Sequence, residues 1–330
     1  MTGILLLNLG GPDSLSAVRP FLYNLFSDRD IIRLGPAFLQ GPLAFLISTL
    51  RSRKTMDTYG KIGGKSPLLD ITTAQAEAIE ALLTSKRKGH AGEEEPPSAD
   101  VKPLHIYVGM RYWHPLIEDT VARMYRDGVR RILCVSLYPH YSIATTGSSV
   151  RKFEEVVTRY PIQHHSVTSW YDHPLYVEAL VELIEEGMAG FSERPVVLFS
   201  AHSLPQKFID EGDPYVKEIE GTISEILKRI DIQWRLSYQS KTGPVKWLEP
   251  STEHMLRDLS KQGIRNLLVV PISFVSDHIE TLYEIDLLYR DMARDLGIDL
   301  RRIRSLNTSP RFIEALADII LKETHNLKWR

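Results

Sequence analysis

Short apolar runs alternate with longer amphipathic ones along nearly the whole chain, and this alternation limits the fold more than any other feature. Seven segments have strand length: 4–9, 104–109, 131–137, 163–168, 195–200, 233–238 and 266–272. Helical periodicity fills the stretches near 14–25, 40–56, 68–84, 115–127, 144–159, 174–188, 213–230, 251–261, 279–295 and 309–323. Strand, helix, strand is the βαβ unit, which joins neighbours of a parallel sheet whose faces are covered by helices. The expectation is an α/β fold of two Rossmann-like domains, each a parallel β-sheet flanked by helices, with a cleft between them. Internal echoes support two related halves: Asp127–Pro139 can be laid over Gln262–Phe274, and Ile4–Pro12 over Val197–Pro205. Residues 1–165 are the expected first domain and 166–305 the second, with 306–330 a helix that packs back on the first.

In open parallel sheets, ligands bind beyond the carboxyl ends of the strands. Two such ends stand out. The apolar run Val196–Phe199 ends in Phe199-Ser-Ala-His-Ser-Leu-Pro205, a small-residue turn that presents one imidazole, His202. The run Leu267–Ile272 leads to Ser276-Asp-His-Ile-Glu280. A neutral imidazole serves as general base or metal ligand near pH 7; the plain alternative is a histidine satisfied by loop hydrogen bonds. Ser200 and Ser203 flank it without the Gly-x-Ser-x-Gly elbow, which argues against serine hydrolase chemistry. If a helix begins near Asp277, then Asp277, Glu280 and Glu284 line one face at i, i+3 and i+7. Such a row suits a divalent cation or proton movement. Asp277-x-x-Glu280 reads equally as a capping box, which leaves His278 and Glu284 unexplained.

Two further strand ends, Gly109-Met-Arg-Tyr-Trp-His-Pro115 and Tyr138-Pro-His-Tyr-Ser142, carry aromatic and basic residues. Arg111 could bind a carboxylate, and Tyr112 or Trp113 could stack on a planar ligand. The competing reading is an aromatic core at a domain junction. A formal net charge of -2 gives no global argument for a nucleic-acid partner. The chain lacks Gly-x-Gly-x-x-Gly, the full Gly-x-x-x-x-Gly-Lys-Ser/Thr phosphate loop and His-Glu-x-x-His. Cys134 is the single cysteine and reads as a buried strand residue, so neither an internal disulfide nor an all-cysteine iron–sulfur cluster can form within the chain.

The apolar run at 4–9 reads as a first strand rather than a secretory signal, which makes the cytoplasm the expected location. The uncharged window 34–50 is broken by Pro36, Gly41 and Pro42 and is marginal for a membrane span. Its Phe38, Leu39, Leu43, Phe45, Leu46, Ile47 and Leu50 form either a buried helix or a hydrophobic lip that touches a membrane surface or a greasy ligand, with Arg51, Arg53 and Lys54 beside it. Residues 85–103, with Lys86-Arg-Lys88 and Glu93-Glu-Glu-Pro-Pro97, read as an exposed, flexible insertion.

Taken together these residues resemble the ferrochelatase family, over nearly the whole chain. The resemblance runs through Leu7-Asn-Leu-Gly-Gly-Pro12, Gly63-Gly-Lys-Ser-Pro67, Gly109-Met-Arg-Tyr112, Leu137-Tyr-Pro-His-Tyr-Ser142, Phe199-Ser-Ala-His-Ser-Leu-Pro205, Asp210-Glu-Gly-Asp-Pro-Tyr215, Tyr238-Gln-Ser-Lys-Thr-Gly-Pro244 and Ser276-Asp-His-Ile-Glu-Thr-Leu282. It implies the chelatase fold and insertion of Fe²⁺ into a porphyrin. His202 and Glu280 would be the catalytic pair and the metal-handling groups, with His202 as proton acceptor or iron ligand. Leu9, Arg111, Tyr112, Tyr138 and Ser142 would line the porphyrin cleft, and Asp277, His278 and Glu284 an acidic path leading from it. The apolar 38–50 segment favours protoporphyrin IX over coproporphyrin III. A chelatase for another metal and tetrapyrrole is the enzymatic alternative, and a porphyrin or haem carrier without turnover the non-enzymatic one. The resemblance implies no organic cofactor, no iron–sulfur cluster, ferrous iron as substrate, peripheral membrane contact through 38–50, and a monomer or homodimer. His140 stands where the family commonly has Gln, a change expected at the cleft rim.

Overall fold

A computed structural model of the chain describes residues 1–32, 34–90, 104–241, 243 and 245–329, with backbone alone for 86–90. Among the described residues, eight strands form two four-stranded sheets. The first holds β1 (Thr2–Asn8), β2 (His105–Met110), β3 (Arg131–Ser136) and β4 (Gln163–Val167) in the order β2-β1-β3-β4. The second holds β5 (Val196–His202), β6 (Trp234–Gln239), β7 (Asn266–Pro271) and β8 (Asp299–Arg302) in the order β6-β5-β7-β8. Every pairing is parallel. The two orders are the same once each half is numbered from its own first strand. The internal echoes fall on equivalent strands: Asp127–Pro139 and Gln262–Phe274 carry β3 and β7, Ile4–Pro12 and Val197–Pro205 carry β1 and β5.

The central strands are fully buried, as strands covered on both faces must be: Ile4 to Leu7 and Val197 to Phe199 have no exposed surface. Helices α1 (Val18–Ser27), α2 (Gln40–Gly60), α3 (Leu68–His90), α4 (Ile117–Arg126) and α5 (Ser148–Val157) accompany the first sheet in sequence, and α6 (Pro174–Ala189) packs against β7 of the second. Helices α7 (Gln206–Asp210), α8 (Tyr215–Leu227), α9 (Thr252–Lys261), α10 (Arg290–Asp295) and α11 (Pro310–Asn326) follow. One apolar core continues across both halves, joining Ile4 and Leu133 to Phe199, Leu268 and Leu316. Helix α11 packs against α6, α3 and β3.

Several sequence expectations are corrected. The predicted helix at 279–295 is a π-helical segment, Glu280–Tyr289, continued by α10, and the predicted helix at 144–159 opens with a π-helical turn at Ile143–Gly147. Wider winding of this type occurs preferentially where function demands an altered side-chain register. Strand β8 has no counterpart in the sequence reading, because Asp-Leu-Arg-Arg at a sheet edge has one buried side chain. The expected insertion at 85–103 gives way to helix as far as His90, and 91–103 lie outside the described residues. The 38–50 segment is not a buried helix: Ala44 and Ser48 face inward, while Phe38 is 77% and Leu50 73% exposed.

Gly10 takes a φ of 84°, and a Cβ on Gly11 would lie 2.4 Å from Ser66 Oγ, so the turn after β1 can seat only against a residue without a side chain there.

Candidate active site

In each sheet the strand order reverses between the first strand and the third, the position at which ligand crevices form in open parallel sheets. His202 is the last residue of β5, and Glu280 starts the π-helical segment that follows β7. The strand pairing of β5 with β7 therefore brings together two residues far apart in sequence. Their side chains meet with Nδ1 of His202 2.9 Å from Oε2 of Glu280. The backbone fixes the ring from behind: His202 N donates to Ser273 Oγ at 3.0 Å, and Tyr215 OH donates to the His202 carbonyl at 3.0 Å.

Because a carboxylate only accepts, Nδ1 carries a proton, and Nε2 keeps its lone pair when the ring is neutral. Nε2 has no hydrogen-bond partner among the described residues, and the ring is a third exposed. Burial pulls the His202 pKa down, but the Glu280 charge and hydrogen bond outweigh it, so the net shift is upward. Glu280 moves the opposite way: burial opposes its charge, and His202, His278 and Ser240 together hold its carboxyl well below the ordinary range. The pair is arranged as a base with an anionic orienting partner.

Gln239, Ser240 and Tyr59 were not assigned a site role from sequence. Glu280 Oε2 also accepts from Gln239 Nε2 at 3.3 Å and Ser240 Oγ at 2.9 Å, while Gln239 Oε1 accepts from Ser200 Oγ at 2.6 Å. Gln239 ends β6 just as His202 ends β5, so position at a strand terminus was the available signal. All of these contacts use one oxygen, leaving Oε1 with no partner among the described residues. Ser240 Oγ also lies 2.5 Å from Glu284 Oε2. Burial, and then the neighbouring Glu280 charge, push the Glu284 pKa up to about 7. Tyr59 and Tyr138 reach the field of Glu280 from the first half, and burial followed by that charge raises both phenols. Leu9 is half-buried at the end of β1, packed beside the cluster that includes Tyr59.

Other predicted site residues lie elsewhere. Asp277 precedes the π-helical segment and does not share a face with Glu280 and Glu284. Its Oδ1 meets Arg302 Nη1 at 3.0 Å and accepts from Ser305 and Thr281, and its Oδ2 accepts from Asn307 Nδ2 at 2.8 Å. The predicted capping box is not formed, since the Glu280 side chain turns to His202, and Thr281 Oγ1 instead accepts from the His278 N–H. His278 donates from Nδ1 to the Ser276 carbonyl, leaves a buried Nε2 unpartnered, and lies against Phe274 with ring centroids 4.1 Å apart.

Arg111 is committed to Asp28 at 2.7 Å and to Ser148 at 2.9 Å. Tyr112 is 1% exposed and donates to the same Asp28 oxygen at 2.6 Å, so it presents no ring face to a cleft. Ser142 is fully buried and donates to Asp213, tying the loop after β3 to the second half. His140 is buried rather than on a rim. Thr222 gives its proton to the Tyr171 carbonyl, so His140 donates from Nε2, and burial lowers its pKa to about 3.

The ferrochelatase family model matches residues 1–324. The chain belongs to the ferrochelatase family. A ferrochelatase of Geotalea uraniireducens is 50% identical over 329 residues, spanning 97% of each chain. One from Gloeothece citriformis is 49% identical over 329 residues, 97% of this chain and 81% of that protein. Among solved structures, SirB from Bacillus subtilis with Fe³⁺ superposes with a TM-score of 0.57 at 13% identity, covering 100% of this chain and 98% of that one. CbiX, described as the terminal enzyme of sirohaem biosynthesis in denitrifying bacteria, gives 0.50 at 10% identity, covering 97% and 98%. These two likenesses establish the chelatase fold. His202 and Glu280 form a pair, and no group of three or more His, Cys, Asp or Glu side chains is placed to hold a metal ion among the described residues.

Proposed function

We propose that this chain inserts Fe²⁺ into protoporphyrin IX to give protohaem, with release of two protons. The observation that carries the reading is the His202–Glu280 pair at the strand ends, which leaves the ring's Nε2 without a hydrogen-bond partner among the described residues. A free-base porphyrin must lose two pyrrole protons as the metal enters. His202 Nε2 accepts a proton, and the Glu280 carboxylate beside Nδ1 stabilises the resulting imidazolium. Glu280 Oε1 is left for the arriving iron. The oxidation state of iron is unchanged, so the reaction needs no organic cofactor, and with Cys134 as the single cysteine no all-cysteine iron–sulfur cluster is expected.

The exposed apolar surface of α2 and the 3₁₀ turn Ala37–Leu39 before it supports a substrate with apolar edges, which favours protoporphyrin IX over coproporphyrin III with its two additional carboxylates. The same surface, flanked by Arg51, Arg53 and Lys54, supports peripheral contact of a cytoplasmic enzyme with a membrane. No described helix is long and apolar enough to cross one.

Anaerobic Fe²⁺ insertion, assayed separately with protoporphyrin IX and coproporphyrin III, tests the proposal. The expected result is faster turnover of protoporphyrin IX and a loss of about 10²–10⁴-fold in H202A, the range for removal of a general base. Porphyrin binding without insertion by the wild type would overturn it in favour of a carrier.

A further inference from the structure

On the porphyrin-binding reading above, we propose that Asp213 and Glu218 are positioning residues that set the width of the porphyrin cleft, by fastening the loop 138–143 of the first half to the start of α8 in the second.

One face of α8 is bonded to both sides. Tyr215, Glu218 and Thr222 are spaced i, i+3 and i+7, so their side chains leave the helix in the same direction. Tyr215 OH donates to the His202 carbonyl at 3.0 Å and so holds the strand end that bears the imidazole. Glu218 Oε2 accepts from the Tyr141 N–H at 2.6 Å, and Thr222 Oγ1 accepts from His140 Nε2 at 2.9 Å. Asp213, just before the helix, accepts at Oδ2 from the Ile143 N–H at 2.8 Å and from Ser142 Oγ at 3.0 Å. Its Oδ1 accepts from the Tyr215 N–H at 3.0 Å, which keeps the carboxylate in place. Tyr138, at the head of the fastened loop, reaches the field of Glu280 from the first half. The same two turns of helix therefore fix His202 on one side and the Tyr138 loop on the other.

The chemistry of the contacts explains why carboxylates stand here. Ile143 opens a π-helical turn, and N–H groups at the start of a helix have no partner within it. The acceptor for Ile143 comes from the other half, 70 residues away, and that for Tyr141 from 77 residues away. Ser169 Oγ, beyond β4, donates to the same Glu218 oxygen at 2.7 Å and also to the Pro139 carbonyl at 3.3 Å, so the loop is held from a second direction. The Ile143 contact is exposed and the Tyr141 contact partly buried. Water can satisfy both donors if the carboxylates are removed, but it cannot hold the loop at a fixed distance from His202. A displacement of about 1 Å at a reacting centre costs on the order of 10²-fold in rate.

Neither carboxylate touches a reacting atom in this scheme, so the test must separate spacing of the cleft from general support. D213A, E218A and E218Q are compared with the wild type for protoporphyrin IX affinity by fluorescence quenching, for KM of iron, for kcat and for thermal midpoint. Both Glu218 contacts use Oε2, so the amide oxygen of glutamine can reproduce them. The expected result is porphyrin binding weakened at least fivefold and kcat lowered in D213A and E218A, with the KM of iron within twofold. E218Q should stay within twofold of wild type throughout. Porphyrin affinity within twofold in both alanine variants would overturn the proposal. So would E218Q as weak as E218A, which would make charge rather than fastening the cause. A parallel loss toward porphyrin and iron with a lowered midpoint would also overturn it, as general destabilisation. If the wild type binds protoporphyrin IX without inserting iron, the proposed function falls while the affinity comparison still decides the role of the two carboxylates. If it binds no porphyrin, both fall.

Discussion

Replacing Asp277 with asparagine keeps the shape of the side chain and removes its charge. In the structure that charge is met by Arg302, whose side chain is 9% exposed, while the Asp277 side chain is 19% exposed. Removing one partner of a buried ion pair costs about 3–5 kcal/mol when the other is left uncompensated. Here Arg302 retains a two-point contact with Asp286, at 2.9 and 2.7 Å, which places the cost lower, at about 2–3 kcal/mol. With roughly 2 °C of melting temperature per kcal/mol for a chain of this length, D277N should melt about 4–6 °C below wild type. The pH dependence has a defined sign. Burial opposes the charge of Asp277, but Arg302, Asn307, Ser305 and Thr281 together lower its pKa below the ordinary value of 3.8. A depressed carboxylate stabilises the fold above its unfolded pKa, and that contribution is lost as pH falls through the folded one. The difference between wild type and D277N should therefore be full at pH 7 and close below about pH 4. Denaturant melts at several pH values, run beside insertion kinetics, check this. A hundredfold loss of kcat with an unchanged midpoint would refute the structural role and return Asp277 to a proton path.

Tyr112→Phe should cost about 1–2 kcal/mol, because it removes a hydrogen bond to the charged Asp28, while porphyrin affinity stays constant. A several-fold loss of affinity at unchanged stability would restore Tyr112 to the cleft. Phe38→Ser with Leu50→Ser should leave stability within about 0.5 kcal/mol, since both side chains project into solvent, yet weaken sedimentation with anionic vesicles at least tenfold. Undiminished vesicle binding would remove the lip as the contact surface.

Much of the fold was legible because its signals are local. Buried parallel strands must be apolar on both faces, so runs such as Ile4–Leu7 and Leu267–Val270 declare themselves. The halves could be matched because β3 and β7 retain similar flanks. Strand β8 was hidden because an edge strand needs few apolar residues, and the π winding because its sequence has the same apolar spacing as an α-helix.

The sequence by itself determined the parallel α/β architecture, the two strand-end turns and the presence of His202 and Glu280, since strand burial and small-residue turns are written in consecutive residues. Tertiary structure alone decided the partners. Arg111 and Asp277 are charged groups whose spacing suits ligand chemistry, but each meets a buried counter-charge from a distant segment, Asp28 in one case and Arg302 in the other. Ser240, which carries no charge, joins two carboxyl groups because the end of β6 lies against the π-helical segment. Electrostatic pairing and hydrogen bonding depend on distances in space, and these arise only when each sheet has brought its strand ends and loops together.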